Sequence, residues 1–279
     1  MKTEKQNKLV EVFKKLTAYD HFLVFLIILS VLKITNVFIN DGVEAGLHFI
    51  KLGASLFVIS SVLYLIFKYG IDRRKKYLHV VISTFLILLV LSHGDPDPVR
   101  GLLVILFLFI SKFLIKYKKQ NIFNPLVFAI GFTTLLALII PAIGIPPLDW
   151  SGIDIRFMIF NTAIPLPLLP IVLALIFNVK RIRKHPLALS FIITSLLIGF
   201  LTNGYENNYL SFTISTVFIG AALIVEPKTS PNKTNEQIIY GITMALIILG
   251  ASLLKIPNAP IMGLMIGNIL YFLYKRIKQ

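Results

Sequence analysis

The sequence predicts an all-α, polytopic membrane protein, and three observations support this fold class. First, 56% of the 279 residues are hydrophobic and only 15% are charged, whereas soluble domains average about 45–50% apolar and about 25% charged residues. Second, the apolar residues form ten long runs separated by polar segments. Third, the lysines and arginines concentrate in alternate segments, which is the pattern expected of consecutive spanning helices.

Each of the ten runs approaches the length of a spanning helix, which is roughly 17–25 residues. The runs lie near 21–40, 43–67, 77–93, 98–115, 123–141, 156–179, 186–203, 209–225, 237–254 and 258–274. The fourth and eighth meet this length only narrowly. Pro165, Pro167 and Pro170 predict that the sixth run is a kinked or broken helix, because proline removes a backbone donor.

The basic residues predict that both termini lie on the inner side of the membrane. With an inner N-terminus, 23 of the 28 lysines and arginines fall in inner segments, while acids such as Asp95, Asp97 and Glu206 fall in outer loops. This alternation indicates an N-in, C-in topology. It also assigns the net charge of +15 to contact with anionic inner-leaflet lipid, so nucleic acid is not needed to explain it.

The chain divides into a lead-in and a single membrane domain. Residues 1–20 are polar and lysine-rich, which fits either an amphipathic cytoplasmic segment or a disordered tail. Residues 21–279 form the membrane domain, whose halves, 21–141 and 156–275, each hold five runs. Because five is odd, a repeat of these halves would be inverted. A parallel relation between two shorter segments aligns the polar proline turns better, so the sequence leaves both symmetries open.

Two polar proline turns, one in each half, form the candidate ligand site. The first is Asn121–Pro125, with the sequence NIFNP, and the second is Glu226–Pro231, with the sequence EPKTSP. Asn124 and Ser230 are good N-cap residues, and the proline after each suits the first turn of a helix. A helix N-terminus at membrane depth offers free N–H groups and a positive dipole end. That environment suits a flavin or quinone carbonyl, and two ordinary capped helix starts are the alternative.

Several single residues carry weaker signals. Lys33, Lys51 and Lys112 interrupt apolar runs, and we expect their side chains to snorkel because all three lie near a predicted membrane face. Gly263 and Gly267 form a small-xxx-small pair suited to close helix packing. The chain has no cysteine, which excludes disulfides, iron–sulfur ligation and thiol catalysis by this chain, and no histidine spacing indicates a metal site.

Four short strings resemble those of the RnfD/NqrB family, the membrane subunits of the Rnf and sodium-pumping NADH:quinone oxidoreductase complexes. Ile122–Pro125 resembles the family's IFNP, Glu226–Pro231 its DPVTSP, and Gln237–Gly241 its QLIYG. Pro257 and Asn268 match two positions of a fourth string, PDGVAFAVLLMN. The strings occur in the family's order, and the resemblance covers the chain from the third run to the tenth.

This resemblance implies a membrane subunit of a flavin-dependent electron-transport complex that couples redox chemistry to Na⁺ or H⁺ translocation in a prokaryotic inner membrane. Its partners would be membrane subunits and flavin or iron–sulfur subunits of that complex, and the chain would not be an autonomous enzyme. Asn124, Thr229 and Ser230 are the expected flavin contacts, with no catalytic residue assigned. Asp154 stands where the family has its flavin-bearing threonine, so we expect FMN or riboflavin to bind without a covalent bond.

Two other functions fit the same pattern. The family's fold is similar to that of urea-type channels, so a small-solute channel or transporter could use the same broken-helix cavity without redox chemistry. A non-catalytic membrane anchor for a soluble reductase is the third interpretation.

Overall fold

The computed structural model is all-α apart from two short hairpins in the residues that it describes, which are 17–70, 77–90, 98–117, 120–140, 157–159, 162–164, 166–202 and 209–278. Ten α-helices occur there: α1 Ala18–Asn40, α2 Val43–Gly70, α3 Leu78–Val90, α4 Pro98–Phe113, α5 Pro125–Ile139, α6 Leu168–Ala174, α7 His185–Leu201, α8 Tyr209–Phe218, α9 Thr234–Leu253 and α10 Ala259–Ile277. Two π-helical segments, Leu175–Val179 and Ile219–Leu223, continue α6 and α8. The predicted helical class is confirmed, with one helix in each apolar run.

Three helices are long and apolar enough to cross a membrane. They are α1, α2 and α9, with 23, 28 and 20 residues. Other apolar helices in the described part of the chain are shorter, and α3 for example has 13 residues, against the roughly 20 that a spanning helix needs. These lengths and compositions are those of a membrane protein.

The sixth predicted span is wrong in its first half. Two antiparallel strands, β3 Phe157–Ile159 and β4 Thr162–Ile164, occupy its beginning, and α6 starts only at Leu168. Proline explains the late start, because residues before a proline avoid the α region and proline has no N–H for a helix. Pro167 is the residue that immediately precedes α6. A smaller hairpin, formed by β1 Lys116–Tyr117 and β2 Gln120–Asn121, leads into the first proline turn.

Odd-numbered and even-numbered helices run in opposite directions among six of the described helices, α1, α3, α4, α5, α6 and α8. The arrangement is visible at one cavity, whose wall combines helix starts with helix ends. The starts are represented by Ala18, His79 and Pro125, and the ends by Lys112, Asn178 and Ala222. Both polar proline turns therefore contribute residues to this one cavity.

Helix contacts recur after a shift of five helices. In the first half α1 packs on α3, α2 on α4 and α4 on α5, and in the second half α6 packs on α8, α7 on α9 and α9 on α10. Across the halves, α1 contacts α6 and α5 contacts α10. This pattern favours the five-plus-five relation over the parallel one. In the five-plus-five relation, Asn124, the N-cap of α5, corresponds to Asn258, the N-cap of α10. Each of these residues is followed by a proline in the first helical turn.

Two glycines allow α10 to approach α9 closely, as the small-residue pair predicts. A Cβ atom on Gly263 would lie 2.7 Å from Ile248 Cγ1 and 3.0 Å from Ile248 Cα. A Cβ atom on Gly267 would overlap the side chain of Met244. The two helices therefore touch through backbone as well as side chains, which only glycine permits at these positions.

The expected snorkelling of Lys33 is wrong. Its side chain is only 2% exposed, and Nζ donates to the carbonyl oxygens of Leu88 at 3.2 Å and Leu89 at 2.8 Å. These carbonyls belong to the last turn of α3, where helical partners are missing and the dipole is negative. Lys51, by contrast, is exposed as expected.

The close α9–α10 contact predicts a strong effect of a single methyl group. Gly263→Ala should lower the free energy of unfolding by about 1–3 kcal/mol, because the added atom overpacks the contact with Ile248. Gly250→Ala is the matched control, since nothing lies within 4 Å of its Cβ position. Thermal unfolding in mild detergent measures both, and equal unfolding temperatures for the two variants would contradict the packing.

Candidate functional site

A cavity of about 140 Å³ lies between the two proline turns, and we call it the turn cavity. Its wall is partly apolar, through residues such as Phe22 and Leu86. The polar part of the wall includes His79 from α3, Lys112 from α4, Asn124 from the first turn, Asn178 from the π segment after α6, and Glu226 and Lys228 from the second turn. A mixed wall of this kind suits a ligand with an apolar body and a few polar atoms.

Asn124 joins the first turn to the end of α8, three residues before the second turn begins. Its Oδ1 accepts hydrogen bonds from the backbone N–H groups of Leu126 at 3.0 Å and Val127 at 3.4 Å, so it caps α5 as the sequence predicts. Its Nδ2 donates to the carbonyl oxygen of Leu223 at 2.9 Å. In a continuing helix this carbonyl would bond to residue 227, but Pro227 has no N–H. Asn124 therefore supplies the donor that the second turn lacks.

Both π-helical segments border the turn cavity. The segment at the end of α8 is closed by a bond from Ile224 N–H to the carbonyl of Ile219, five residues earlier, at 3.0 Å. This segment brings Ala221 and Ala222 to the cavity wall, and the segment after α6 brings Asn178. Single π turns inside helices occur frequently at functional sites, so their joint position supports a ligand site here.

Asn178 is the most informative side chain of the cavity. It is 6% exposed, and its Oδ1 has no hydrogen-bond partner among the described residues. Leaving a buried acceptor unpaired costs about 1–3 kcal/mol, so a bound ligand that donates a hydrogen bond would remove this cost. The sequence pattern did not identify Asn178 as a site residue. The only indication in the sequence is that this amide lies within an apolar segment, shortly after three prolines.

Lys112 is also buried at the cavity, so its expected snorkelling is wrong as well. It is 7% exposed, and Nζ donates to the carbonyl of His79 at 2.7 Å and to Ser83 Oγ at 3.2 Å. With Lys228 and Glu226 on the same wall, two positive charges stand against one negative charge. The cavity thus favours a ligand that is neutral or negatively charged.

The second turn does not cap its helix as predicted. α9 begins at Thr234, with Lys233 as its N-cap, so Ser230 is not an N-cap and Pro231 precedes the helix. Ser230 Oγ donates to the carbonyl of Glu226 at 2.7 Å, and Thr229 Oγ1 donates to Glu226 Oε2 at 3.3 Å. The hydroxyls of Ser230 and Thr229 therefore bond back to Glu226 at the start of the same turn.

Lys184, the residue just before α7, explains why α9 begins only at Thr234. Its Nζ donates to the carbonyl of Ser230 at 3.2 Å, to Asn232 Oδ1 at 2.9 Å and to the carbonyl of Pro231. The side chain is 2% exposed, so these contacts replace its water. Burial lowers the pKa of Lys184 from 10.5 to about 8.

The three predicted flavin contacts do not converge on one chamber. Asn124 lines the turn cavity, Thr229 lines a neighbouring pocket with Asn121 and Tyr271, and Ser230 lines an open groove on the far side of the turn. Lys228 borders all three spaces. The loop that contains Asp154 lies outside the described residues, as do residues 1–16 of the lead-in and Asp95 and Asp97.

The described residues contain no group of three or more histidine, aspartate or glutamate side chains that could hold a metal ion. No protein-family model and no curated protein matches the chain. A function must therefore be argued from the site itself and from the short strings in the two turns.

The bridge made by Asn124 predicts graded losses of stability. Asn124→Ala removes a cap, typically about 1 kcal/mol, and leaves the Leu223 carbonyl unpaired at a further cost of about 1–3 kcal/mol. Asn124→Asp keeps the cap acceptor but loses the donor, so it should fall between wild type and Asn124→Ala. Chemical unfolding in detergent measures the series, with Asn235→Ala on the exposed start of α9 as control. A wild-type value for Asn124→Ala would contradict the bridge.

The lowered pKa of Lys184 predicts a pH window for stability. Between pH 8 and 10.5 the unfolded chain holds a proton that folded Lys184 has lost, so the contribution of this residue to stability rises with pH. Below about pH 8 both states hold the proton, and the contribution is constant. The measurement is the unfolding temperature of wild type minus that of Lys184→Met across this window. Lys180→Met in the same loop controls for general charge effects, and a flat difference for Lys184→Met would contradict the assignment.

Proposed function

We propose that this chain is a multi-pass membrane subunit of a flavin-dependent electron-transport complex, and that the turn cavity receives the ring edge of an FMN or riboflavin that binds without a covalent bond. The observation that carries the proposal is the hydrogen bond from Asn124 to the carbonyl of Leu223, which holds the first turn against the end of α8. The cavity beside it is lined by Asn178, whose Oδ1 has no hydrogen-bond partner among the described residues. The two proline turns are the two strings with the clearest resemblance to the RnfD/NqrB family.

The proposal includes ten spanning helices with both termini inside. The alternating helix directions and the contact pattern that recurs after five helices support it, as does the charge alternation of the loops. Non-helical backbone at membrane depth is tolerated where it lines a cavity or is buried in protein. The two proline turns meet this condition, because each contributes residues to the wall of the turn cavity.

The chemistry of Asn178 favours a flavin ring over a quinone. A side-chain amide offers one acceptor and two donors, and the imide edge of a flavin presents an N–H between two carbonyls, so the two edges can pair through two hydrogen bonds. A quinone offers acceptors only and would leave Asn178 Oδ1 unpaired. The amide of Asn178 is thus the residue that we assign to recognition of the ring.

The lysines at the cavity support a role in redox chemistry. A bound flavin supplies the one- and two-electron chemistry, while the protein tunes it through nearby charge and hydrogen bonds. Lys112 is fixed by the His79 carbonyl and Ser83, and its positive charge would stabilise a reduced, anionic ring. Partner subunits would deliver and remove the electrons, because this chain has no cysteine with which to hold an iron–sulfur cluster.

The visible absorption spectrum of the purified complex tests the proposal. We expect a flavin spectrum, with the flavin released into the supernatant after acid precipitation. Flavin that stays in the pellet would contradict non-covalent binding. A colourless protein that moves small solutes across liposome membranes would overturn the redox proposal in favour of the channel.

Substitution of Asn178 tests the assignment of the ring site. Asn178→Leu should weaken flavin binding by about tenfold or more, since a paired amide contributes about 1–3 kcal/mol of recognition. Asn36→Leu in α1 is the matched control, because Asn36 is also a buried helical amide, at 4% exposure, and is not among the residues that line the turn cavity. Equal flavin content in both variants would show that Asn178 does not contact the ring.

A further inference from the structure

A second concave surface lies on the far side of the EPKTSP turn, and we call it the lysine groove. It has a volume of about 630 Å³ and is formed by residues 227–236 and residues 271–278. Its charged residues are Lys228, Lys233, Lys275, Lys278 and Glu236. Two chain segments distant in sequence thus bring four lysines and one glutamate to one surface.

The single acid of the groove is already paired. Lys278 Nζ lies 3.2 Å from Glu236 Oε1 and donates to Tyr274 Oη at 3.1 Å. Glu236 offsets one of the four lysine charges that line the groove, so the lining residues together carry a net positive charge. Three positive charges around one concave surface favour a ligand that carries phosphate.

An apolar helix face leads away from the groove. On α10, Ile266, Leu270, Leu273 and Ile277 recur at helical spacing, and their exposed fractions are 36%, 49%, 44% and 88%. Tyr274, whose hydroxyl accepts from Lys278, stands at the junction of groove and apolar face. Tyrosine is enriched at this position in membrane proteins, where an apolar interior meets polar headgroups.

We propose that the lysine groove binds the phosphate headgroup of an anionic phospholipid, with its acyl chains along the exposed apolar face of α10. The inference rests on the proposed membrane orientation, which puts this end of the bundle at the inner leaflet, and it does not require a bound flavin. The lysines supply charge-assisted hydrogen bonds to the phosphate. The apolar face, which would be costly in water, is covered by the acyl chains.

The groove differs from a basic surface in general. The positive-inside rule explains lysines on inner loops but does not require them to converge. Here the two segments that line the groove meet at the EPKTSP turn. Hydrogen bonds from Lys184 hold the backbone of this turn in place, so the base of the groove has a defined shape. This geometry predicts that lipid binding depends on the lysines of the groove. Removing the same number of lysines elsewhere should leave lipid binding unchanged.

The test uses the full chain, purified and delipidated in mild detergent, and records its unfolding temperature with added lipid. Phosphatidylglycerol should raise the unfolding temperature, whereas phosphatidylcholine and inorganic phosphate should leave it unchanged. An equal rise with phosphatidylcholine would overturn the preference for an anionic headgroup. An equal rise with inorganic phosphate would assign the groove to a soluble phosphate and overturn the lipid proposal.

Matched triple variants locate the site. The variant Lys228→Gln/Lys233→Gln/Lys275→Gln should lose most of the rise caused by phosphatidylglycerol. The control Lys68→Gln/Lys116→Gln/Lys180→Gln, with the same charge loss at the same end of the bundle, should keep it. An equal loss in both would overturn the proposal, since it would show that only total charge matters.

A further variant and readout keep the test valid if the first triple variant folds poorly. Replacing the same three groove lysines by arginine preserves the charge, so this variant should retain the rise. Native mass spectrometry of Lys233→Gln alone should show less retained phosphatidylglycerol than wild type, and unchanged retention would contradict the site. Flavin content of the Lys233→Gln variant, whose side chain lines the groove and not the turn cavity, separates a failure of the groove from a failure of the turn cavity.

Discussion

The carbonyl of Leu223 is the group on which the arrangement of the two turns depends. Pro227 cannot donate to it, and a buried carbonyl without a partner is costly. Asn124 satisfies it with Nδ2 while Oδ1 caps α5. One amide thereby holds the end of α8 against the start of α5, and the space left beside this contact is the turn cavity.

Buried lysines serve a common purpose in this chain, which has 28 basic residues against 13 acids. Lys33, Lys112 and Lys184 are all buried, and each donates to backbone carbonyl oxygens of another element. Lys33 binds the last turn of α3, and Lys184 binds the EPKTSP turn. For Lys33 and Lys184 the acceptors are carbonyls of a last helical turn and of a proline turn, which lack helical backbone partners. The lysines thus connect segments that lie far apart in the sequence.

Much of the fold and part of the site could be predicted. Each of the ten apolar runs contains one helix, and Asn124 caps α5 as its position before a proline indicates. The predictions that were wrong have one cause in common. In each, a tertiary contact outweighs the preference that the local sequence pattern indicates. Ser230 looks like an N-cap, but Lys184 engages the following carbonyls and α9 begins later. Lys33 and Lys112 look able to snorkel, but partners inside the bundle hold them.

By itself, the sequence determined the helical class, the membrane composition and the alternation of basic segments, because apolar run length and charge placement act locally or through the membrane. It also indicated that the proline-rich sixth run is kinked or broken, because a missing N–H is a property of the residue. Only the tertiary structure decided that Asn124 and Leu223 bond, that Asn178 lines the same cavity, and that several helix contacts repeat after five helices. These features depend on which segments meet in space, and no single segment carries that information.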